Sequence, residues 1–114
     1  MPYLKIQSNQ PVEEANASAF IKRASKIVAQ QLSKPENYVM VALDPPVPMV
    51  FAGDDTPAVF MELKSIGLSE AQTPALSAAL CSLVEEELGV DAGRVYIEFA
   101  DAPRKMWGWN RATF

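Results

Sequence analysis

The sequence predicts an α/β domain of the α+β kind, in which two βαβ units form a four-stranded mixed sheet with two helices on one face. Three observations predict it. The apolar periodicity runs strand, helix, strand and then strand, helix, strand again. The segment Asn37–Asp44 aligns with Arg94–Asp101 at a displacement of 57 positions, half the chain, as a duplicated βαβ unit would. The length of 114 residues fills one domain, 1–114, against about 150 residues for a typical one. Right-handed crossovers then place both helices on the same side of the sheet.

Each element has its own signal. Tyr3–Gln7 alternates apolar and polar residues, as a half-buried strand does. Pro11 sits where a helix accepts proline, and Phe20, Ala24, Ile27, Val28 and Leu32 recur at helical spacing over Glu13 to Leu32. Pro35 ends that helix. Tyr38–Leu43 is the second strand, stopped by Asp44-Pro45-Pro46. A stretch rich in Pro, Gly and Asp follows, with a brief edge strand expected at Val50–Ala52. Ala58–Ile66 is the third strand, ended by Gly67.

Two signals compete to start the second helix, a capping box at Ser69–Gln72 and the pair Thr73-Pro74. Its stripe is Leu76, Leu80, Leu83, Val84 and Leu88, with Gly89 as the stop. Val95–Phe99 is the fourth strand, and Met106–Trp109 is expected to add one more edge strand. Tyr38–Leu43 and Ala58–Leu63 are apolar at nearly every position, the pattern of strands buried on both faces. Two helices cover one face only, so association of copies in a closed cyclic oligomer is expected to cover the other.

Composition narrows the chemistry. The chain has no histidine and one cysteine, Cys81, which excludes a Ser-His-Asp triad, a Cys-His pair, His-ligated zinc, an internal disulfide and a CxxC pair. Cys81 reads as a small buried apolar residue. No metal and no cofactor are expected. Net charge is −4 with a pI near 4.7, the wrong sign for nucleic acid or an anionic membrane. No apolar run approaches the roughly 20 residues of a membrane span, and no signal peptide is visible, so the expected compartment is the cytoplasm, with secretion lacking a signal peptide as the alternative.

The remaining candidate base is a backbone amine. Removal of the initiator methionine would leave Pro2 as an N-terminal secondary amine. A free α-amino group has a pKa of about 7.7–8.0, and burial or a nearby cation lowers it, giving a base that works at neutral pH.

Five separated segments carry a family resemblance: Met1-Pro2 opening a strand, Ser33–Tyr38, Lys64–Gly67, Arg94–Ile97, and Gly108–Phe114. Together they resemble the macrophage migration inhibitory factor and D-dopachrome tautomerase family, essentially end to end. The resemblance implies the tautomerase fold, a homotrimer, and keto–enol tautomerisation of an arylpyruvate such as phenylpyruvate, a 2-oxo acid. It implies that Pro2 is the catalytic base, that Lys34 pairs with the substrate carboxylate, and that the backbone N–H of Ile66 makes a second contact. Tyr96 would come from a neighbouring subunit, and Tyr38, Trp109 and Phe114 would form the aromatic rim.

Two positions depart from the family pattern at the expected site: Glu98 replaces an asparagine, and Trp107 replaces a smaller residue. The family's CxxC segment falls at Ala58–Met61, where no thiol exists. Blander readings stand beside these. Lys34 is also what a solvated helix end would carry, and Tyr96, Trp109 and Phe114 are also ordinary core or interface aromatics. A cytokine-like trimer that engages a protein receptor through a vestigial pocket is the alternative function.

Overall fold

A computed structural model describes residues 1–114. Four strands form one mixed sheet: β1 (Tyr3–Ser8), β2 (Met40–Leu43), β3 (Val59–Ile66) and β4 (Val95–Ala102), in the order β2-β1-β3-β4. β1 runs parallel to β2 and β3 parallel to β4, while β1 and β3 pair antiparallel at the centre. Helices α1 (Glu14–Leu32) and α2 (Thr73–Leu88) are the two crossovers.

The expected stripes build the core. Phe20, Ala24, Val28 and Leu32 of α1, with Leu76, Leu80, Leu83 and Val84 of α2, pack on Leu4, Ile6, Met61 and Leu63. Burying such side chains stabilises the fold by about 1.5–3 kcal/mol each. Arg23 on α1 bonds Glu87 of α2 at 2.8 Å and also meets Glu86, tying the outer helix surfaces together. Cys81, expected in the core, is instead half-buried on the flank of α2.

The two competing helix starts are used in succession. The capping box forms, with the Ser69 N–H donating to Gln72 Oε1 at 3.0 Å over a short 3-10 turn, and α2 proper begins at Thr73 with Pro74 in its first turn. Gly89 ends the helix at φ 66, a left-handed conformation that glycine takes without strain.

The duplication is real but its displacement is corrected. Phe20, Ala24 and Val28 match Leu76, Leu80 and Val84 at 56 positions, and the 3-10 turns Glu36–Tyr38 and Ala92–Arg94 match at the same 56. At 57, core-facing Ile97 would be matched with Met40, which is 64% exposed. A one-residue slip sends every strand side chain to the opposite face, so only 56 preserves the pattern.

Other boundaries shift for local reasons. Tyr38 is not in β2: Pro35 starts a 3-10 turn over Glu36–Tyr38, and the strand begins at Met40. At Val50–Ala52 there is no strand, only a bridge between Phe51 and Asp54 closing a tight turn in which Ala52 and Gly53 have φ 54 and 81. The tail does not join the sheet. Gly108–Trp109 (β5) pairs with Ala112–Thr113 (β6), and Asn110 and Arg111 between them have φ 51 and 68, the primed turn that suits a two-residue hairpin.

The expected doubly apolar strands are corrected too. On the face away from the helices, Tyr3, Met40, Phe60 and Tyr96 alternate with Lys5, Glu62, Lys64 and Glu98. That face is mixed, with large apolar groups between charges.

Candidate functional site

The site forms where β1 begins. Pro2 is buried, and its carbonyl accepts a hydrogen bond from the Met40 N–H at 3.0 Å, which fixes the start of β1 against β2. Around it lies a cavity of about 400 Å³, formed by Met1, Pro2, Tyr3 and Asn37–Met40 on one side and by Trp107–Trp109 and Phe114 on the other.

Local sequence explains how these groups arrive. Ser33 takes a left-handed turn (φ 52) at the end of α1, and the Lys34 N–H bonds back to the Ala29 carbonyl at 3.0 Å, so the helix stops with Lys34 at its rim. Pro35 accepts from the Tyr38 N–H at 3.2 Å and closes the turn that presents the Tyr38 ring. The Phe114 N–H donates to the Trp107 carbonyl at 3.2 Å, folding the tail hairpin over the cavity mouth.

The aromatic wall has defined geometry. Trp109 and Phe114 stack, and Tyr38 meets both edge-on, at 5.5 Å and 78° to Trp109 and 6.0 Å and 84° to Phe114. Edge-to-face and offset-stacked rings of this kind hold one another in place. A flat, apolar slot results.

Electrostatics at the amine follow from this burial. The Met1 α-amine is held below its ordinary value of 8.0, first by desolvation and second by the positive charge of Lys34. Lys34 is half-buried. Such a site favours the neutral amine and an anionic ligand together.

Thus the structure brings together Pro2, Tyr38, Trp107, Trp109 and Phe114, with Lys34 close enough to act on the amine. Ile66 is 6% exposed and lies at the end of β3; the β1–β3 register, Tyr3 opposite Lys64, carries it across from Met1. Tyr96 and Glu98 are not at this cavity. They sit on the open face of β4, opposite Phe60 and Glu62, toward the other end of the sheet. Asn37, Val39 and Met40 line the cavity without having been singled out, since nothing in their residue types marks them.

Comparison with known proteins decides the family. The family model described as "Macrophage migration inhibitory factor (MIF)" matches residues 1–114. The chain belongs to the macrophage migration inhibitory factor family. It is 37% identical over 115 residues to a macrophage migration inhibitory factor homolog of Brugia malayi, covering 100% of this chain and 99% of that one. Against the Mus musculus macrophage migration inhibitory factor it is 32% identical, with 100% and 99% covered. The fold superposes on the Prochlorococcus marinus homologue with a TM-score of 0.93 at 40% identity, covering 98% of both chains. The Toxoplasma gondii structure gives 0.93 at 32% identity, covering 98% and 99%.

The mixed sheet with its two helices is therefore the tautomerase fold of this family. Membership supports a tautomerase or cytokine-like function. No helix is long and apolar enough to cross a membrane.

Proposed function

We propose that the protein is a keto–enol tautomerase acting on arylpyruvates such as phenylpyruvate, with Pro2 as general base after removal of Met1. The observation that carries this is the burial of Pro2 at the base of an aromatic cavity in which the α-amine of the preceding Met1 is held below its ordinary value by desolvation and by Lys34. A neutral secondary amine takes a proton from the carbon beside the substrate carbonyl and returns one to complete the other tautomer. Lys34 holds the carboxylate, the Ile66 N–H supplies a second contact, and the aryl ring enters the slot between Tyr38, Trp109 and Phe114.

The working unit in this reading is a homotrimer. Tyr96 is 64% exposed, Glu98 is exposed, and neither reaches the cavity of its own chain, so a neighbouring copy would supply them. Membership in a family of oligomeric proteins supports this. Glu98 then brings negative charge toward an anionic substrate, and Trp107 narrows the rim.

The test is turnover of phenylpyruvate by methionine-free protein, with Pro2→Gly beside it. Equal rates in the two would sink the proline mechanism. The second reading, a cytokine-like trimer engaging a protein receptor, draws on the family's own description. It predicts binding to a receptor ectodomain that Pro2→Gly leaves unchanged. Cytoplasmic residence, with release lacking a signal peptide as the alternative, belongs to the same proposal.

A further inference from the structure

Where β3 ends, the chain turns through Gly67 at φ 77, and two consecutive backbone N–H groups point to one carboxylate oxygen. Asp101 Oδ1 accepts from the Gly67 N–H at 2.8 Å and from the Leu68 N–H at 3.1 Å. Asp101 comes from β4, opposite Ser65 in the parallel register, so the contact ties two strands together just beyond their paired ends. Leu68, on the far side of the turn, is 8% exposed and belongs to the core. The turn is thus held at one side by packing and at the other by a charged acceptor, and charge-assisted bonds of this kind are among the stronger ones.

The residue directly before this turn is Ile66, which the β1–β3 register carries across from Met1 at the mouth of the amine cavity. Loss of the Asp101 acceptor would leave the Gly67 N–H without a partner and the Leu68 N–H with only its longer bond to the Ser65 carbonyl at 3.4 Å, loosening the turn that Ile66 enters and with it the backbone angles that aim the Ile66 N–H. We propose that Asp101 is a positioning residue, whose carboxylate fixes the Ile66 backbone so that it contacts a substrate carboxylate in the Pro2 cavity. The inference rests on the tautomerase reading for the ligand class, and on the clamp itself for the role. Asp101 touches neither the substrate nor the amine.

The experiment compares methionine-free wild type with Asp101→Ala, Asp101→Ser and Asp101→Asn, the serine variant serving if the alanine one fails to fold. Two readouts are taken: amide hydrogen exchange at Gly67 and Leu68, and the affinity for 3-phenylpropanoate, an unreactive arylcarboxylate, followed at the Ile66 amide by NMR. Expected for alanine or serine are faster exchange at both amides and affinity weaker by about fivefold to tenfold, and a KM for phenylpyruvate raised by a similar factor with kcat within about threefold. Asp101→Asn keeps an acceptor oxygen, so it restores both readouts. The inference is overturned if affinity is unchanged while exchange accelerates, or if asparagine fails to rescue. A wild type that binds 3-phenylpropanoate with this Asp101 dependence yet turns over no phenylpyruvate would sink the tautomerase reading and leave the clamp standing.

Discussion

Trp109 and Phe114 stack with centroids 5.5 Å apart and planes 12° from parallel, across the hairpin that folds the tail over the Pro2 cavity. Their contact sits on an exposed element, so it shapes the site more than it holds the fold. Phe114→Ala is expected to raise the KM for phenylpyruvate by about threefold to tenfold, the worth of one aromatic pair, and to leave the thermal midpoint nearly unchanged. Steady-state kinetics beside a melting curve check this; a large loss of stability would move the hairpin into the folding core.

Pro2→Gly keeps a backbone amine but makes it primary and removes the ring packed in the cavity. A drop in kcat of about 10²-fold or more is expected, the usual share of a positioned base. Intact mass spectrometry must first establish that Met1 is absent, because an amide at Pro2 has no basicity.

The pH dependence has a definite sign. A base acts unprotonated, so kcat/KM should rise with pH through the amine pKa and level off above it. Burial and Lys34 both lower the Met1 amine at this place, and Pro2 is buried more deeply than Met1, so the half-rise should fall below the ordinary value of an N-terminal proline amine. Lys34→Ala removes the second of those causes and should move the half-rise upward, while KM increases from loss of the carboxylate partner. A half-rise that stays put in Lys34→Ala would show that the lysine charge does not reach the amine.

Leu80→Ala should cost about 2–5 kcal/mol in urea unfolding, since Leu80 is 0% exposed on the core-facing side of α2 and its loss leaves a cavity. Ser82→Ala, on the exposed side of the same helix, should change stability by less than about 0.5 kcal/mol.

The helices and strand cores were legible because their apolar residues repeat at the right period, and Phe20, Leu76 and Met61 stand buried as that repeat requires. The duplication was legible as a pattern, but its displacement was not. Apolar residues on both faces of Tyr38–Leu43 hide which way each side chain points, and the shared aspartates drew the alignment one residue off. Those two differ in role: Asp44 faces Lys5 at 3.7 Å, whereas Asp101 caps a turn. At the site, Pro2, Tyr38 and the tail aromatics could be named from the sequence because the resemblance carries them. The separation of Tyr96 from Pro2 was implied by the resemblance, which draws it from a neighbouring subunit, whereas that of Glu98 was not, since it depends on β3 lying between β1 and β4.

Arg94 anchors the opposite end of the sheet. Its guanidinium donates to the carbonyls of Phe51, Thr56 and Pro57 at 3.0–3.1 Å, pairs with Asp54 at 3.0 Å, and lies over the Phe51 ring. Arg94→Ala should cost about 1–3 kcal/mol, because these bonds are lost from a side chain only 18% exposed, and should speed hydrogen exchange across residues 51–57.

At the displacement of 56, Arg94 is the counterpart of Tyr38. In one half of the molecule that position borders a hollow beside a backbone amine. In the other, a guanidinium plugs the corner, and β3 is entered through the peptide bond between Pro57 and Ala58. Two halves of common pattern have therefore diverged, one with an aromatic cavity beside a backbone amine and the other with an interior peptide bond pinned by Arg94, and each chain carries one amine at this repeated position rather than two.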